Sequence, residues 1–243
     1  MEFISCSYSL EKMYWLIVIV VAVMVLSFLV WASASIGSGV YLKALFRKKT
    51  EEKIVVLTFD DGPSPMTPKV LEVLERHGVK ACFFLIGSKI VSDKETVRMI
   101  TDAGHVVGNH SWSHTGTFPL KSLADVQKEI DDTAHAILEC TGRKPMLFRP
   151  PFGVTNPRIG KAVRMAGLTT IGWNVRSMDT LEGRTREEVM KKISGALYPG
   201  SVILLHDRCN DSDLLLEMLL TYLEDNDYKV VTIEEMFDTN AYA

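Results

Sequence analysis

Residues 54–63 are IVVLTFDDGP, an apolar run that ends in two carboxylates, a glycine and a proline. A β-branched run of this length is typical of a buried strand, and the Gly-Pro pair predicts a turn after it. Thr67 as N-cap and Pro68 at the first helical position then predict a helix, which Gly78 closes. This strand–turn–helix unit is the building block of an α/β protein with a parallel sheet.

The same unit recurs along the rest of the chain. The predicted strands cover residues 54–59, 81–86, 105–108, 147–149, 169–174, 202–205 and 229–231. Capping boxes at Ser92/Glu95 and Thr185/Glu188 predict two helix starts, and Ser122 predicts a third. Seven β/α units favour a parallel sheet covered by helices, either closed as a barrel or doubly wound. The pattern alone does not choose between these two.

Composition and charge exclude several classes of protein. The chain has 243 residues, 47% of them hydrophobic, and a formal net charge of −3. The charge excludes a strongly basic nucleic-acid binder, and the hydrophobic content excludes a disordered chain. The mean hydropathy of +0.11 is high for a chain in which 23% of residues are charged. One concentrated apolar segment is expected to be the cause.

That segment is at the N-terminus, where no charged residue occurs between Met13 and Leu42. An apolar helix over about residues 13–34 is long enough to cross a bilayer, and Trp15 and Trp31 are placed as interfacial aromatics. A retained anchor is favoured over a signal peptide cleaved near Ala32-Ser33-Ala34, and over a buried core helix. We therefore predict an anchor and juxtamembrane linker over residues 1–49 and a catalytic domain over 50–243.

Polar side chains cluster after five of the predicted strands. They are Asp60-Asp61 after the first strand, His110 and His114 after the third, Arg149 after the fourth, Asp179 after the fifth and His206 after the sixth. Because parallel α/β enzymes place their sites at the carboxyl ends of strands, these side chains are expected to meet at one edge of the sheet.

The spacing of His110 and His114 indicates a metal site. On a helical turn, residues four apart point the same way, and a nearby carboxylate would complete a His₂Asp set that leaves positions open for water and substrate. Two surface histidines on a polar loop are the alternative. Adjacent carboxylates repel unless a cation holds one of them. This suggests that one Asp binds metal while the other acts as a base.

These motifs resemble those of the NodB-type polysaccharide deacetylases, carbohydrate esterase family four. The matching segments are TFDDGP at 58–63, HSWSH at 110–114, RPPFG at 149–153 and ILLH at 203–206. The resemblance covers roughly residues 53–235. It implies a distorted (β/α)₇ barrel of parallel strands, here with an N-terminal transmembrane helix.

The resemblance also implies roles for individual residues. Asp60 would be the general base, oriented by Arg149, and Asp61, His110 and His114 would bind a divalent metal, for which zinc is expected. His206 would be the general acid, tuned by Asp179.

The fourth motif departs from the family pattern. Thr180 stands where a tryptophan is expected, and Arg176 stands at a position that is commonly acidic. These changes affect the wall of the acetyl pocket, part of which Trp173 would supply. The resemblance therefore does not predict the pocket shape or the substrate preference, although the set of metal-binding and acid–base residues is complete.

The expected function is removal of N-acetyl groups from N-acetylglucosamine in a cell-envelope polysaccharide, with peptidoglycan preferred because the anchor keeps the enzyme near the wall. The alternatives are an O-acetyl esterase, a small-molecule amidohydrolase and a catalytically silent glycan-binding protein. The expected partners are the acetylated polysaccharide and the membrane, with no nucleic acid.

Orientation in the membrane is a point of conflict. The basic residues Lys43, Arg47, Lys48 and Lys49 favour a cytoplasmic domain by the positive-inside rule. The expected substrate favours an extracytoplasmic one, which we predict for this single-pass protein.

Several other polar residues are predicted to have no catalytic role. His105 is expected to be structural, and His77 and His135 to be solvated on helices. Asp207 would orient a neighbour or cap a loop. Cys82, in an apolar strand, is expected to be a buried thiol.

Overall fold

The computed structural model describes residues 2–243, with side chains described from residue 11 onward. The nine strands are β1 Ala44–Leu45, β2 Ile54–Gly62, β3 Cys82–Leu85, β4 Val106–Asn109, β5 Leu147–Phe148, β6 Thr169–Ile171, β7 Val175–Arg176, β8 Ser201–His206 and β9 Lys229–Val230. The helices are α1 Glu2–Ala34, α2 Thr67–Arg76, α3 Gly87–Ser92, α4 Lys94–Asp102, α5 Leu123–Thr141, α6 Pro157–Met165, α7 Arg186–Ser194, α8 Ser212–Asp225 and α9 Ile233–Phe237.

All the strand pairs are parallel, and their order shows that the sheet curls into a barrel. The order is β1-β6-β5-β4-β3-β2-β8-β7, with β9 paired to the start of β2. Strands β6 and β7 lie near opposite ends of this order, yet only residues 172–174 join them. Four Cα–Cα steps span at most about 15 Å, so the two ends must lie close together. The distorted (β/α)₇ barrel is thereby confirmed, and the doubly wound alternative is wrong.

Strand β2 shows how the sequence directs side chains to the two faces of the sheet. Val55, Leu57 and Phe59 are buried between the sheet and the surrounding helices. Val56 belongs to the core inside the barrel. Because successive side chains in a strand alternate between faces, Asp60 shares the inner face with Val56 and points into the barrel mouth.

Two predicted helix caps are wrong. Thr67 is already helical, Met66 occupies the N-cap position, and the Thr67 hydroxyl donates to Asp207 instead. Ser92 ends α3, and the carboxylate of Asp93 caps α4 by accepting a hydrogen bond from the Thr96 amide. In α4 a neighbouring carboxylate thus takes the first-turn amide. In α2 no described side chain caps the helix, because the Thr67 hydroxyl is engaged by Asp207.

Two other predicted helix starts are confirmed. The capping box of Thr185 and Glu188 opens α7, with both of its hydrogen bonds present. Ser122 caps α5 by accepting a hydrogen bond from the Asp125 amide.

The N-terminal helix α1 contains a 24-residue segment, Glu11–Ala34, in which an 18-residue window has mean hydropathy 2.9 and is little buried against the rest of the described chain. The segment that follows packs on the domain. Ala32 is fully buried, and both the amide and the hydroxyl of Thr155 donate to carbonyls of the last helical turn. Leu45 then pairs with Ile171 of β6, and Arg47 bridges to Ser201 of β8. This segment therefore crosses the gap between the two ends of the sheet.

Of the four residues that were predicted to have a buried or solvated position without a catalytic role, three have the predicted environment and His77 does not. His105 is buried, its Nδ1 accepts a hydrogen bond from the Ala81 amide, and burial lowers its pKa to about 4. Cys82 is buried, and burial raises the pKa of its thiol. His77 is not solvated as predicted, because Glu217 and Glu224 hold both of its ring nitrogens. His135 is exposed and pairs with Glu139.

Candidate metal and catalytic site

Arg149 follows β5 and is fully buried beneath the mouth of the barrel. Its guanidinium donates at 2.6 Å to Oδ1 of Asp60 and at 2.8 Å to the hydroxyl of Thr58. The other guanidinium nitrogens donate to the carbonyls of Ile171 and Gly172. A buried charge is stable only when it is paired and fully hydrogen-bonded, and this arrangement satisfies both requirements. Asp60 is thus held in one orientation by a fixed cation.

Asp61, His110 and His114 bring three donor atoms together. Nε2 of His110 lies 3.6 Å from Oδ1 of Asp61, and Nε2 of His114 lies 3.3 Å from the same oxygen. All three atoms lie within 4.8 Å of one another. The two histidine rings have centroids 4.6 Å apart. The predicted trio is therefore assembled, although its four-residue histidine spacing acts through a loop and not through a helical turn.

Two observations show that this trio fits a divalent metal. Oδ1 of Asp61 is buried, with no hydrogen-bond partner among the described residues. Nδ1 of His110 lies 2.7 Å from the carbonyl oxygen of Arg149 and must donate to it, which leaves Nε2 unprotonated in the neutral ring. In metalloproteins, a carbonyl that accepts a hydrogen bond from the other ring nitrogen orients a metal-binding histidine in this way. Two imidazole nitrogens and one carboxylate oxygen form a typical ligand set for zinc.

The electrostatics of the trio favour metal ligation over protonation. Burial alone would raise the pKa of Asp61, but His110, His114 and Arg208 together hold it well below its usual range. Burial lowers the pKa of His114 to about 4. An ionised carboxylate and a neutral imidazole are the states that bind metal.

Local backbone geometry places these side chains. Asp61, Ser111 and His114 all have positive φ, at 73°, 65° and 47°. Such conformations are costly for non-glycine residues and persist where the surroundings impose them. Here the Asn109 side chain accepts from the Ser111 amide, and the Ser111 hydroxyl accepts from the His114 amide. The loop after β4 is thus held by its own side chains.

His206 ends β8 and forms a second centre with Asp179. Its Nδ1 lies 2.8 Å from Oδ1 of Asp179, and its amide donates to Oδ2 of the same carboxylate. Burial alone would lower the pKa of His206, but Asp179 raises it above the ordinary value. In the sheet, His206 is in register with Asp60 on the neighbouring strand. The structure thus brings all seven predicted site residues to one edge of the barrel.

A cavity of about 450 Å³ connects the two centres. It is lined by Asp60, Asp61, His110, His114 and His206, and also by Phe152, Trp173, Arg176 and Thr180. Trp173 packs so closely over Gly153 that a Cβ there would lie 2.5 Å from the indole ring. Trp173 therefore forms part of the wall of the cavity that Thr180 also lines.

Three residues at the site were not anticipated from the sequence. Nε of Arg208 donates at 2.7 Å to Oδ2 of Asp61, and Nζ of Lys89 donates at 2.6 Å to its carbonyl. Phe152 has a φ of 59° and its ring lies 4.7 Å from that of His114. The position of Arg208, two residues after a strand-end histidine, was an available signal. Lys89 lies on a helix, and nothing in its sequence context distinguishes it.

Asp207 supports the loop that carries the two carboxylates. It is fully buried, accepts a hydrogen bond from Thr67, and its backbone carbonyl accepts from Ser64. Burial raises its pKa to about 6. A Cβ at Gly62 would lie 2.7 Å from its carboxylate, so only glycine fits there. Asp207 therefore orients a neighbouring loop, which is the first of the two roles predicted for it.

A parallel barrel with a His₂Asp cluster and a carboxylate-paired histidine at its mouth has the side chains that a metal-assisted hydrolase site requires. Comparison with known proteins specifies the family. The model of the polysaccharide deacetylase family matches residues 47–171, and the chain belongs to that family.

Relatives and solved structures agree with this assignment. The peptidoglycan-N-acetylglucosamine deacetylase PgdA of Listeria monocytogenes is 36% identical over 201 residues, which cover 82% of this chain and 42% of PgdA. The chain thus spans less than half of that relative. The crystal structure of the Bc1960 peptidoglycan N-acetylglucosamine deacetylase superposes with a TM-score of 0.76 at 30% identity, covering 82% of this chain and 94% of that one.

A further solved structure is a family-four pseudoenzyme from Bacillus anthracis, BA3943. Its TM-score is 0.73 at 28% identity, and the match covers 79% of this chain and 67% of that one. The fold alone therefore does not establish catalysis.

Proposed function

We propose that this protein is a divalent-metal-dependent deacetylase that removes N-acetyl groups from N-acetylglucosamine residues of a cell-envelope polysaccharide, with peptidoglycan as the expected substrate. The observation that carries the proposal is the buried Oδ1 of Asp61, which has no hydrogen-bond partner among the described residues and faces Nε2 of both His110 and His114. The names of the Listeria and Bc1960 relatives support the same substrate.

In this proposal Asp61, His110 and His114 hold the metal, and zinc is the expected ion because of their donor types. When bound, the metal would supply Lewis-acid polarisation of the acetamide carbonyl and acidify the attacking water. Arg149 holds the carboxylate of Asp60 in place through a 2.6 Å hydrogen bond to Oδ1, and Asp60 lines the cavity. Asp60 takes one proton from water as the new C–O bond forms.

His206 completes the reaction on the side of the leaving group. Asp179 raises the pKa of the His206 imidazole and so favours its protonated form. In that form His206 donates a proton to the amine nitrogen while the C–N bond breaks. The products are acetate and the free amino sugar. The cavity, lined on one side by Trp173 and Phe152, provides apolar surface against which a sugar ring and its acetyl methyl group pack.

The proposed organisation places an anchor and linker in residues 1–49 and the catalytic domain in residues 50–243. The apolar helix up to Ala34 supports a single membrane span, and the polysaccharide substrate supports an extracytoplasmic catalytic domain. Reporter fusions at the two ends of the chain test the orientation. A C-terminal fusion that is active only with a reporter that requires the cytoplasm would contradict it.

A direct test measures acetate release. Purified protein loaded with Zn²⁺ is incubated with peptidoglycan and with N-acetylglucosamine oligomers, with and without a chelator. The proposal predicts release that the chelator abolishes and that added Zn²⁺ restores. O-acetylated xylan in the same panel tests for an esterase.

A catalytically silent glycan-binding protein is the second candidate, and the pseudoenzyme among the structural neighbours favours keeping it. Binding of the oligomers without acetate release, at any metal loading, would identify it. The complete set of Asp60, Arg149, His206 and Asp179 contacts supports the active enzyme instead.

A further inference from the structure

A second cavity adjoins the catalytic one and is walled partly by the segment that leaves the anchor helix. We call residues 34–37 the exit segment. This cavity has a volume of about 300 Å³. It is lined by the exit segment and by Phe46, Phe152, Trp173, Asn174 and Arg176. Phe152, Trp173 and Arg176 also line the catalytic cavity. The two spaces therefore meet at these three side chains.

The exit segment is a fixed wall. Ile36 is buried, and a Cβ on Gly172 would lie 2.9 Å from both Ile36 and Phe46. The carbonyl oxygen of Gly172 accepts a hydrogen bond from the guanidinium of Arg149. The hydrogen bonds from Thr155 to the last turn of α1 fix the other side. The anchor is thus joined to the site through packed residues, without a flexible linker between Ala34 and the domain.

Arg176 is the charged residue of the second cavity. Its backbone pairs with Leu204 in the sheet, and no side chain in the described part of the chain hydrogen-bonds or ion-pairs with its guanidinium. The remaining lining is aromatic, aliphatic or neutral polar, including the hydroxyl of Ser35. Arg176 is exposed, and the cavity that it lines also contains the hydroxyl of Ser35. An unpaired guanidinium at the edge of such a cavity is suited to binding an anion, above all phosphate.

The position of this cavity indicates where the anion comes from. The apolar stretch of α1 ends at Ala34, and the cavity begins at the same residue. If α1 spans the bilayer, the cavity opens at the level of the lipid headgroups. A glycan whose reducing end is linked through phosphate to a membrane lipid would place that phosphate at Arg176 while its N-acetyl group enters the catalytic cavity.

We infer that the cavity between the exit segment and Arg176 is a subsite for a phosphate group carried by the acetylated glycan. This inference rests on the proposed function and specifies its substrate: a glycosyl phosphate, lipid-linked at the membrane surface. The guanidinium binds the phosphate oxygens, and the exit segment sets the distance between membrane and catalytic centre.

The experiment compares three soluble substrates that share one disaccharide. They are N,N′-diacetylchitobiose, its 1-phosphate and an analogue with a carboxylate in place of the phosphate. The selectivity is kcat/KM for the 1-phosphate divided by that for the neutral sugar. We expect wild type to prefer the 1-phosphate, and Arg176→Gln to reduce the selectivity about tenfold by raising KM, since a charge-assisted hydrogen bond is lost. Salt should reduce the wild-type selectivity.

Matched variants separate charge from folding. Arg176→Lys keeps the charge and should retain most of the selectivity, whereas Ser35→Trp should fill the cavity and reduce it. Arg98→Gln changes an exposed arginine on α4, outside both cavities, and should leave the selectivity at the wild-type value. Equal rates on the neutral sugar and its phosphate in wild type, or unchanged selectivity in Arg176→Gln, would overturn the subsite. A preference for the carboxylate analogue would overturn its assignment to phosphate.

A lipid arm identifies the source of the phosphate. The full chain is reconstituted in phosphatidylcholine vesicles that contain a long-chain alkyl phosphodiester of the same disaccharide. A higher kcat/KM for this form than for the free 1-phosphate supports a lipid-linked glycan, and equal values support a free glycosyl phosphate in the same subsite. Failure of the proposed function would be distinct, because wild type would then release no acetate even from the neutral disaccharide.

Discussion

The barrel mouth holds two histidine–carboxylate centres that are equally accessible to solvent and have opposite electrostatics. His114, beside Asp61, and His206, beside Asp179, each have 14% of the side chain exposed. Burial lowers the pKa of His114 to about 4, whereas Asp179 raises the pKa of His206 above its ordinary value despite the same effect of burial. Exposure therefore does not decide protonation here. The neighbours of each ring do.

The difference shows how one residue type is fitted to two tasks. His206 has a carboxylate of its own, hydrogen-bonded at Nδ1 and to the backbone amide, so the protonated ring is favoured. His114 shares a single carboxylate oxygen with a second imidazole. One centre is suited to donate a proton and the other to bind a cation.

Removing a ligand from the first centre should have the largest effect. Asp61→Asn replaces the charged oxygen that faces both imidazoles, so we expect loss of bound Zn²⁺ and a decrease of about a thousandfold in kcat, because several kcal/mol of Lewis-acid stabilisation disappear. Metal content and acetate release measure this. His135→Ala, at an exposed helical histidine, is the control and should be fully active. Zinc retained at wild-type affinity would contradict the ligand assignment.

Removing the histidine of the second centre should show that proton donation and metal binding are independent functions of the two centres. His206→Gln is expected to decrease kcat about a hundredfold, as is usual for loss of a general acid, while Zn²⁺ affinity stays at the wild-type value. Calorimetric zinc titration and acetate release on the same preparation test both halves of this prediction. If zinc affinity falls in parallel with kcat, the two centres are not separate.

Removing the carboxylate of the second centre should change its pH dependence. Asp179 raises the pKa of His206, so Asp179→Asn should lower it, and the acid form should be lost at a lower pH. We expect the alkaline limb of the kcat/KM profile to move to lower pH, with the acidic limb unchanged. Asp225→Asn, an exposed residue at the far end of α8 from the His206 strand end, serves as the control. An unmoved alkaline limb would mean that another group is the acid.

The smallest effect is expected at His77, which lies outside the site and, like His206, is paired with carboxylates. Glu224 and Glu217 raise its pKa, so the folded state binds the proton more tightly than the unfolded state. Its contribution to stability is full below the unfolded pKa of about 6.5 and is lost as pH rises through the higher folded value. Urea unfolding of wild type and His77→Gln should differ by less than about 1 kcal/mol at pH 6 and converge above pH 8. A difference that grows with pH would contradict the sign.

Sequence patterns predicted the parts of this protein that depend on local chemistry. The β-branched run before Asp60, the glycine after α2 and the capping box of Thr185 each depend on residues within a few positions. The motif residues could be assigned to one sheet edge because parallel strands share a direction.

What the patterns missed depends on contacts between distant segments. Strand β1 has two residues and exists because β6 has a free edge beside it. Arg208 and Lys89 acquire their roles only when the barrel brings them to Asp61. The hydroxyl of Thr67 was assigned to a cap, but a buried carboxylate 140 positions away takes its hydrogen bond.

The short strand β1 has a consequence for how this domain can be handled as an isolated fragment. It covers the free edge of β6, and Leu42 and Ile36 beside it are buried. A fragment that begins at residue 50, where composition alone would divide the chain, would expose unpaired backbone groups and an apolar strip along that edge. Exposed edges recruit strands from other molecules. Such a fragment should self-associate, whereas one that begins near residue 32 should stay monomeric.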